Sequence, residues 1–343
     1  MAYTTINKPS EYFNTKLYTG TGSSNSVTGV GFQPDFTWIK ARSFSDNHEL
    51  YDAVRGVQKR IMSNSIGAEE TRSQGLLAFS SDGFTVGTSD GVNQNTETFA
   101  SWNWKANGAG VSNTDGSITS TVSANTTSGF SIVSWVATGS VGTIGHGLGV
   151  APKMIIGKNR TSAYHWQIGH SSIGWTNQIR FTTDASSATN QWNNTAPTSS
   201  VFSVEQYDIN KEIGDNSIAY CFAEVKGFSK FGSYVGNGNA DGAFIYTGFK
   251  PSFFMWKRSS STGGWYMSDS KRDTFNEVDV VLSANDSGSE SDQGTTLDHD
   301  FLSNGIKIRN SVAGANSSGE TFIYMAFAEQ PLVGTNNIPA TAR

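Results

Sequence analysis

Gly31-Phe32-Gln33-Pro34-Asp35-Phe36-Thr37-Trp38-Ile39-Lys40 decides the reading of this chain, because its pattern returns twice. Gly149-Val150-Ala151-Pro152 and Gly248-Phe249-Lys250-Pro251 open two further apolar runs, and in all three the sixth residue after the proline is a lysine: Lys40, Lys158 and Lys257. Glycine and proline punctuate a turn, and the first residue of a strand can forgo its amide bond. Positions two and four after the proline are large and apolar, Phe36 and Trp38, Met154 and Ile156, Phe253 and Met255. Period two means strand. These side chains should face a core, with Thr37, Ile155 and Phe254 on the other side.

Outward from these runs the likeness continues. Leu17-Tyr18-Thr19-Gly20-Thr21-Gly22 corresponds to Ser233-Tyr234-Val235-Gly236-Asn237-Gly238, with a weaker Trp135-Val136-Ala137-Thr138-Gly139 between them. Downstream, Phe79-Ser80-Ser81-Asp82-Gly83-Phe84 lies over Phe301-Leu302-Ser303-Asn304-Gly305-Ile306, and Val201-Phe202-Ser203-Val204 takes that place in the middle copy. Each copy closes on an aromatic strand, alternating as Ala100, Trp102, Trp104; Ile218, Tyr220, Phe222; and Ile323, Met325, Phe327. An internal repeat fixes the architecture before any residue chemistry does. The expectation is an all-β chain of three tandem β-sandwich repeats of about 100 residues each, the alternative being one continuous β-structure with shared sheets. The divisions are an N-terminal arm 1–11, repeats 12–106, 129–225 and 226–331, a Gly/Ser/Thr/Asn-rich linker 107–128 in which Ile118 and Val122 can place a strand, and a tail 332–343. Helical spacing is confined to Leu50, Val54 and Val57, which predicts one or two turns between Asn47 and Met62.

Strand parity also assigns the lysines a task. Lys158 and Lys257 lie two residues beyond Ile156 and Met255, as Glu224 and Glu329 lie two beyond Phe222 and Phe327. Neighbouring strands would then form rim pairs, Lys158 with Glu224 and Lys257 with Glu329. Lys40 faces Ala106 at the matching position and needs another acceptor. The plainer reading is that all three ammoniums reach solvent along their apolar stems.

Charged residues are 15% of the 343-residue chain, against about 25% in ordinary globular domains, and Gly, Ser, Thr and Asn replace them. A net charge of −5 argues against a nucleic-acid surface, which would be basic. No apolar run is long enough for a signal-peptide core or a membrane span. Cys221, the one cysteine, has no intramolecular partner and reads as a strand residue.

No cofactor or metal is assigned, and no converging catalytic set stands out. His165 and His170 lack a metal-ligand spacing. Asp298-His299-Asp300 reads as a turn before a strand, and the acidic loop at 286–292 offers oxygen ligands without a known calcium spacing. Glu69 with Glu70, and Glu205 with Asp208, are paired carboxylates that only three dimensions can judge. Nine Trp, eleven Tyr and twenty-one Phe are more informative. Trp166, Trp175, Trp192 and Trp265 lie outside the repeated positions and are candidates for glycan or subunit contact, since aromatic rings beside amides suit both.

The combination of Gly31 to Lys40 with Ser101-Trp102-Asn103-Trp104-Lys105 and Tyr324-Met325-Ala326-Phe327-Ala328-Glu329 resembles repeats in virion structural proteins of tailed bacteriophages, those of marine bacteria in particular. The resemblance covers residues 12–331. It implies lectin-like or jelly-roll-like sandwiches and a non-enzymatic protein of the tail fibre or tail-associated type that contributes to host-surface recognition. The implied partners are other virion proteins, further copies of the chain and a host surface glycan, with no nucleic acid and no membrane insertion. The implied location is the virion, assembled in the host cytoplasm. A head-decoration or tail-connector scaffold is the second expectation, and a capsular polysaccharide depolymerase the third. The family offers no catalytic residues to carry over.

Overall fold

Each proline-led run is a strand, and each is central in its sheet. In the computed structural model, which describes residues 3–334 and 339–341 except for the side chain of Thr295, these opening strands are Phe36–Ala41, Met154–Asn159 and Phe249–Arg258. Of the expected arm 1–11 and tail 332–343, residues 1–2, 335–338 and 342–343 lie outside the described residues. The glycine three residues before each proline has a positive φ, 90° at Gly31, 72° at Gly149 and 78° at Gly248. That left-handed backbone is open to glycine and strained for other residues, which is why the turn is spelled the same way three times.

The chain is mostly β, and its paired strands are antiparallel. Three main sheets share one plan. A lead strand (Phe13–Thr19, Phe130–Val136, Ser229–Val235) pairs with a closing strand (Thr98–Trp104, Asn216–Phe222, Thr321–Pro331), which pairs with the opening strand, which pairs with a return strand (Glu49–Asp52, Gln167–His170, Trp265–Asp269). The second sheet is widened by Val111–Asn113 and Ser120–Asn125, so the expected linker carries two strands, with Val122 in one of them. Against the outer face of each main sheet lies a small one. Asn25–Thr28 pairs with Gly83–Val86, Gly142–Gly145 with Val201–Val204, and Phe244–Tyr246 with Gly305–Ile308.

Parity places the side chains as expected, yet what they meet differs from the expectation. Phe36, Trp38, Met154, Ile156, Phe253 and Met255 join the alternate residues of all three closing strands in a single buried cluster. The faces read as three separate cores are one. Trp104 sits at its hub, its ring 4.9 Å from Phe13 and 5.1 Å from Phe36 in its own segment, 6.2 Å from Phe222 in the second, and 5.8 Å from Phe327 in the third. The opposite faces form outer clusters of their own: Ile39 with Val27 and Phe84, Ile155 with Ile144 and Phe202, Phe254 with Ile245 and Ile306. Every main sheet is therefore buried on both sides.

One local expectation is corrected. Residues around Asn47 to Met62 form the strands Glu49–Asp52 and Lys59–Arg60, with no helix between them. Leu50 enters the shared core from its strand and Val54 packs against that core from the turn that follows, while Val57 is exposed, so the spacing runs across a strand and a turn and marks no helix face. The N-terminal arm is held by its own chain, with Ile6 in the shared core and the Tyr3 hydroxyl donating to Gly248 O at 2.6 Å.

Trp104→Ala should lower stability by about 3–5 kcal/mol, measured by urea unfolding, with Trp104→Phe costing clearly less. A Trp104→Ala loss below about 1 kcal/mol would mean that the ring is not central to packing.

Candidate functional site

The ionisable side chains converge at the seams between segments, and the seams follow one cyclic rule. The loop after each return strand reaches the end of the next opening strand. Glu69 N donates to Arg160 O at 2.7 Å, Ser186 N to Ser259 O at 2.8 Å, and Glu290 N to Arg42 O at 2.8 Å. Arg160, Ser259 and Arg42 each lie two residues past the repeated lysine. First segment meets second, second meets third, and third meets first. The ring closes.

The lysines hold these loops. Lys158 Nζ donates to Ile66 O across the seam (3.0 Å) and to Tyr164 O (2.7 Å); Lys257 Nζ to Thr183 O (3.1 Å) and Gly263 O (2.7 Å); Lys40 Nζ to Ser287 O (3.3 Å) and Ala41 O (2.9 Å). All three residues are fully buried. Burial pulls each ammonium down to about 8, in Lys40 against the opposing pull of Asp46, Asp286 and Glu290, in Lys158 against Asp208. The rim pairs do not form. Opening and closing strands run antiparallel, so Lys158 sits opposite Ile218 and Lys257 opposite Ile323, at the far end from Glu224 and Glu329. Glu224 pairs with Lys230 instead, at 2.8 Å, and Glu329 with Lys250, at 3.3 Å.

One ring nitrogen supports every seam. Trp166 Nε1 donates to Met62 O (2.8 Å), Trp265 Nε1 to Arg180 O (2.7 Å), and His48 Nε2 to Ser283 O (2.9 Å), the His48 tautomer being set by Trp38 Nε1 donating to Nδ1. Trp166 and Trp265 therefore belong to the repeated framework and are closed to a ligand, at 2% and 1% exposure. Trp192 is equally buried, packed edge-on to Trp175, which is half-buried over Gly169. Of the four candidates only Trp175 is more than 2% exposed. Burial also pushes the Cys221 thiol up, in keeping with a packing residue.

Deeper in, two seams are ionic and one is neutral. Asp52 and Asp269 hold the same register position, opposite Phe36 and Phe253, and each forms a buried pair with the arginine three residues on, Arg55 or Arg272. Asp52 accepts from Tyr220 OH (2.8 Å) and Asp269 from Trp102 Nε1 (3.1 Å), both across a seam. Arg160 grips Glu69 through two nitrogens, each at 2.9 Å, as Arg42 grips Glu290 at 2.7 and 2.9 Å. Burial works against the charge of Glu69, but Arg160 and Arg55 outweigh it and hold the carboxyl below its usual range. In the second segment His170 stands where the aspartates stand, and its Nε2 donates to Tyr324 O at 3.2 Å. Sequence reasoning missed the Arg160–Glu69 and Arg42–Glu290 bridges because their partners lie in different segments.

Three of the other candidates, Glu290, Asp208 and His299, are committed to structure. Glu290, in the acidic loop, serves Arg42 and Arg272, and Asp208 serves Gln167 and Arg180. His299 Nε2 lies 2.8 Å from Ser268 Oγ, a nucleophile-and-base pair in outline, but both residues are fully buried and no carbonyl substrate can approach. Among the described residues no group of three or more His, Cys, Asp or Glu is placed to hold a metal ion. A cavity of about 300 Å³ opens where Asn64, Thr182 and Asn285 of the three segments approach one another above Phe181 and Trp166. Its amides are engaged: Asn64 Oδ1 accepts from His48 N and Asn285 Oδ1 from Trp265 N.

Residues 8–331 match the family model of a domain of unknown function, DUF7483, and the chain belongs to that family. No curated protein matches it.

Glu69→Gln should cost about 3–5 kcal/mol, because it strips a carboxylate from the buried Arg55 and from Arg160, whereas Glu70→Gln, half exposed, should cost no more than about 1 kcal/mol. Urea unfolding of the two variants checks the contrast. Acid sensitivity follows from the buried histidines. Burial holds His48 at about 3 and His170 and His299 at about 4 in the folded chain; unfolded, each titrates at about 6.5. Below 6.5 the unfolded chain takes up protons that the folded chain refuses, so the stability present above 6.5 is lost as pH falls towards 4. Urea midpoints taken from pH 7 to pH 4 should fall steeply, and a flat profile would refute the assignment.

Proposed function

We propose that this chain is a non-enzymatic structural protein of a bacteriophage virion, a tail fibre or tail-attached protein that contributes to host-surface recognition, built as three sandwich units closed around one core. The observation that carries the reading is the cyclic seam. Carboxylates, guanidiniums and ammoniums that elsewhere do chemistry are here bound to one another and to backbone carbonyls, and their role is to hold three sheets rigid. A rigid scaffold that presents loops and strand faces suits display and attachment. The scarcity of charge outside the seams and the hydroxyl- and amide-rich loops agree with a surface that meets glycans or other proteins. Glu69 and Asp208, one carboxylate of each pair that a polysaccharide-cleaving reading would need free, are held by arginines.

A second reading, a scaffold that binds only other virion subunits, is favoured by one feature. Val136, Val141 and Ile213 in the second segment are more than half exposed, and Ile213 lies against Gly139. Such side chains are suited to a protein contact.

Antibody labelling of purified particles, together with binding of the purified chain to host cells, tests the choice. Label on the tail with saturable cell binding is expected; label on the head without cell binding would favour the scaffold. Release of reducing sugar from host polysaccharide would overturn the non-enzymatic reading.

A further inference from the structure

The three segments act as controls for one another. At corresponding places on the outer sheets, Val27, Ile144 and Ile245 point inward, opposite Phe84, Phe202 and Ile306. Their outward-facing neighbours are Ser26 and Thr28 in the first segment and Thr143 and Gly145 in the second. In the third they are Phe244 and Tyr246, exposed by 47% and 54%. The framework is built twice without aromatic rings at this place. Two large rings exposed on one strand face are therefore an addition to the shared framework: Phe244 lies over Gly305, and Tyr246 borders a pocket.

Beside Tyr246 a pocket of about 270 Å³ is lined by Tyr3, Glu224, Lys226, Ser229, Lys230 and the backbone of Gly227 and Gly248. Its charges are unbalanced. Glu224 is taken by Lys230, at 2.8 Å, and by the Phe231 amide. Lys226, exposed, has its ammonium 4.5 Å from the centre of the Tyr3 ring and forms no ion pair among the described residues. Tyr3 is fixed by its bond to Gly248 O, and burial together with the Tyr246 phenol raises it to about 12, so it remains a neutral hydroxyl. An aromatic face, a hydroxyl pair and one uncompensated cation sit around a space too small for a nucleotide.

We infer that this pocket binds a single acidic sugar residue, with the apolar face of the pyranose on Tyr246 and its anionic group at Lys226. The inference deepens the host-surface reading by naming the ligand class of one site, and it rests on that reading for its biological setting. The same chemistry is offered by uronic acids and by sugar phosphates.

Calorimetric titration of the full chain with a galacturonate disaccharide, with glucose 1-phosphate and with neutral methyl glucoside tests it. Binding in the millimolar range is expected for one or both anions, and about tenfold weaker binding for the neutral sugar. Tyr246→Ala and Lys226→Met should each weaken anion binding about tenfold while leaving the thermal midpoint unchanged, since both side chains are exposed; Lys16→Met, on the first segment, should change nothing. The anion that binds identifies the source. Absence of saturable binding to both anions, equal binding of the neutral sugar, or unaltered binding by both variants would overturn the inference. Acidic-sugar binding without attachment to host cells would leave the pocket standing and remove the host-recognition reading.

Discussion

One core shared by three sheets governs this structure. The alternate residues of the opening and closing strands, from Phe36 and Trp104 to Met255 and Phe327, meet in a single cluster. No segment can cover that face with its own residues. Phe36 stacks on Tyr220 at 4.1 Å and Phe13 on Phe327 at 4.7 Å, so removing any one sheet would expose aromatic surface on the other two. Burial of this kind is favourable by about 25 cal/mol per Å², which is why closure of the ring and formation of the core are one event.

The seams answer a second constraint. Where two sheets meet edge to edge, loops must enter, and their backbone groups need partners once water is excluded. The buried lysines meet that need, each capping a carbonyl on either side of a seam. An ammonium has three donors and a long stem, so it can serve two carbonyls from a strand end where a shorter side chain would not reach. The cost is desolvation, recorded in the lowered values of all three. Differences among the seams show what is essential. Arg160 with Glu69 and Arg42 with Glu290 fasten two seams, whereas Ser186 and Ser259 occupy the third. The lysine, the ring nitrogen and the loop amide recur in all of them, while the ion pair is an accessory. Buried ion pairs often contribute little over well-packed neutral groups, and the neutral seam is consistent with that.

How much of this was legible in the sequence depends on range. Strand parity, the glycine-and-proline turn before each opening strand and the closing strands were readable because each is set by residues within one run. The helix expected near Leu50 was misread because Leu50 lies in a strand while Val54 and Val57 lie in the turns after it. Parity states which face turns inward; it does not say whether the neighbour on that side belongs to the same repeat, so a common core looked like three. The lysine–glutamate pairs failed on direction, since two residues past the end of one strand lies at the opposite rim from two residues past the end of its antiparallel neighbour. Trp166 and Trp265 were set outside the framework because His48 holds the third copy of their position. The residue types differ, and the shared task, a ring N–H donated to a carbonyl across the seam, is visible only in three dimensions. Phe244 and Tyr246 attract notice only once the fold shows which positions correspond.

Interdependence of the three sheets is the central claim, and native-state hydrogen exchange tests it most directly. Amides in the closing strands Thr98–Trp104, Asn216–Phe222 and Thr321–Pro331 should exchange through one common opening, with equal free energies that fall together as denaturant is added. Closing strands that open independently, with one segment exchanging at a distinctly lower free energy while the others stay protected, would contradict a shared core and restore three separate domains.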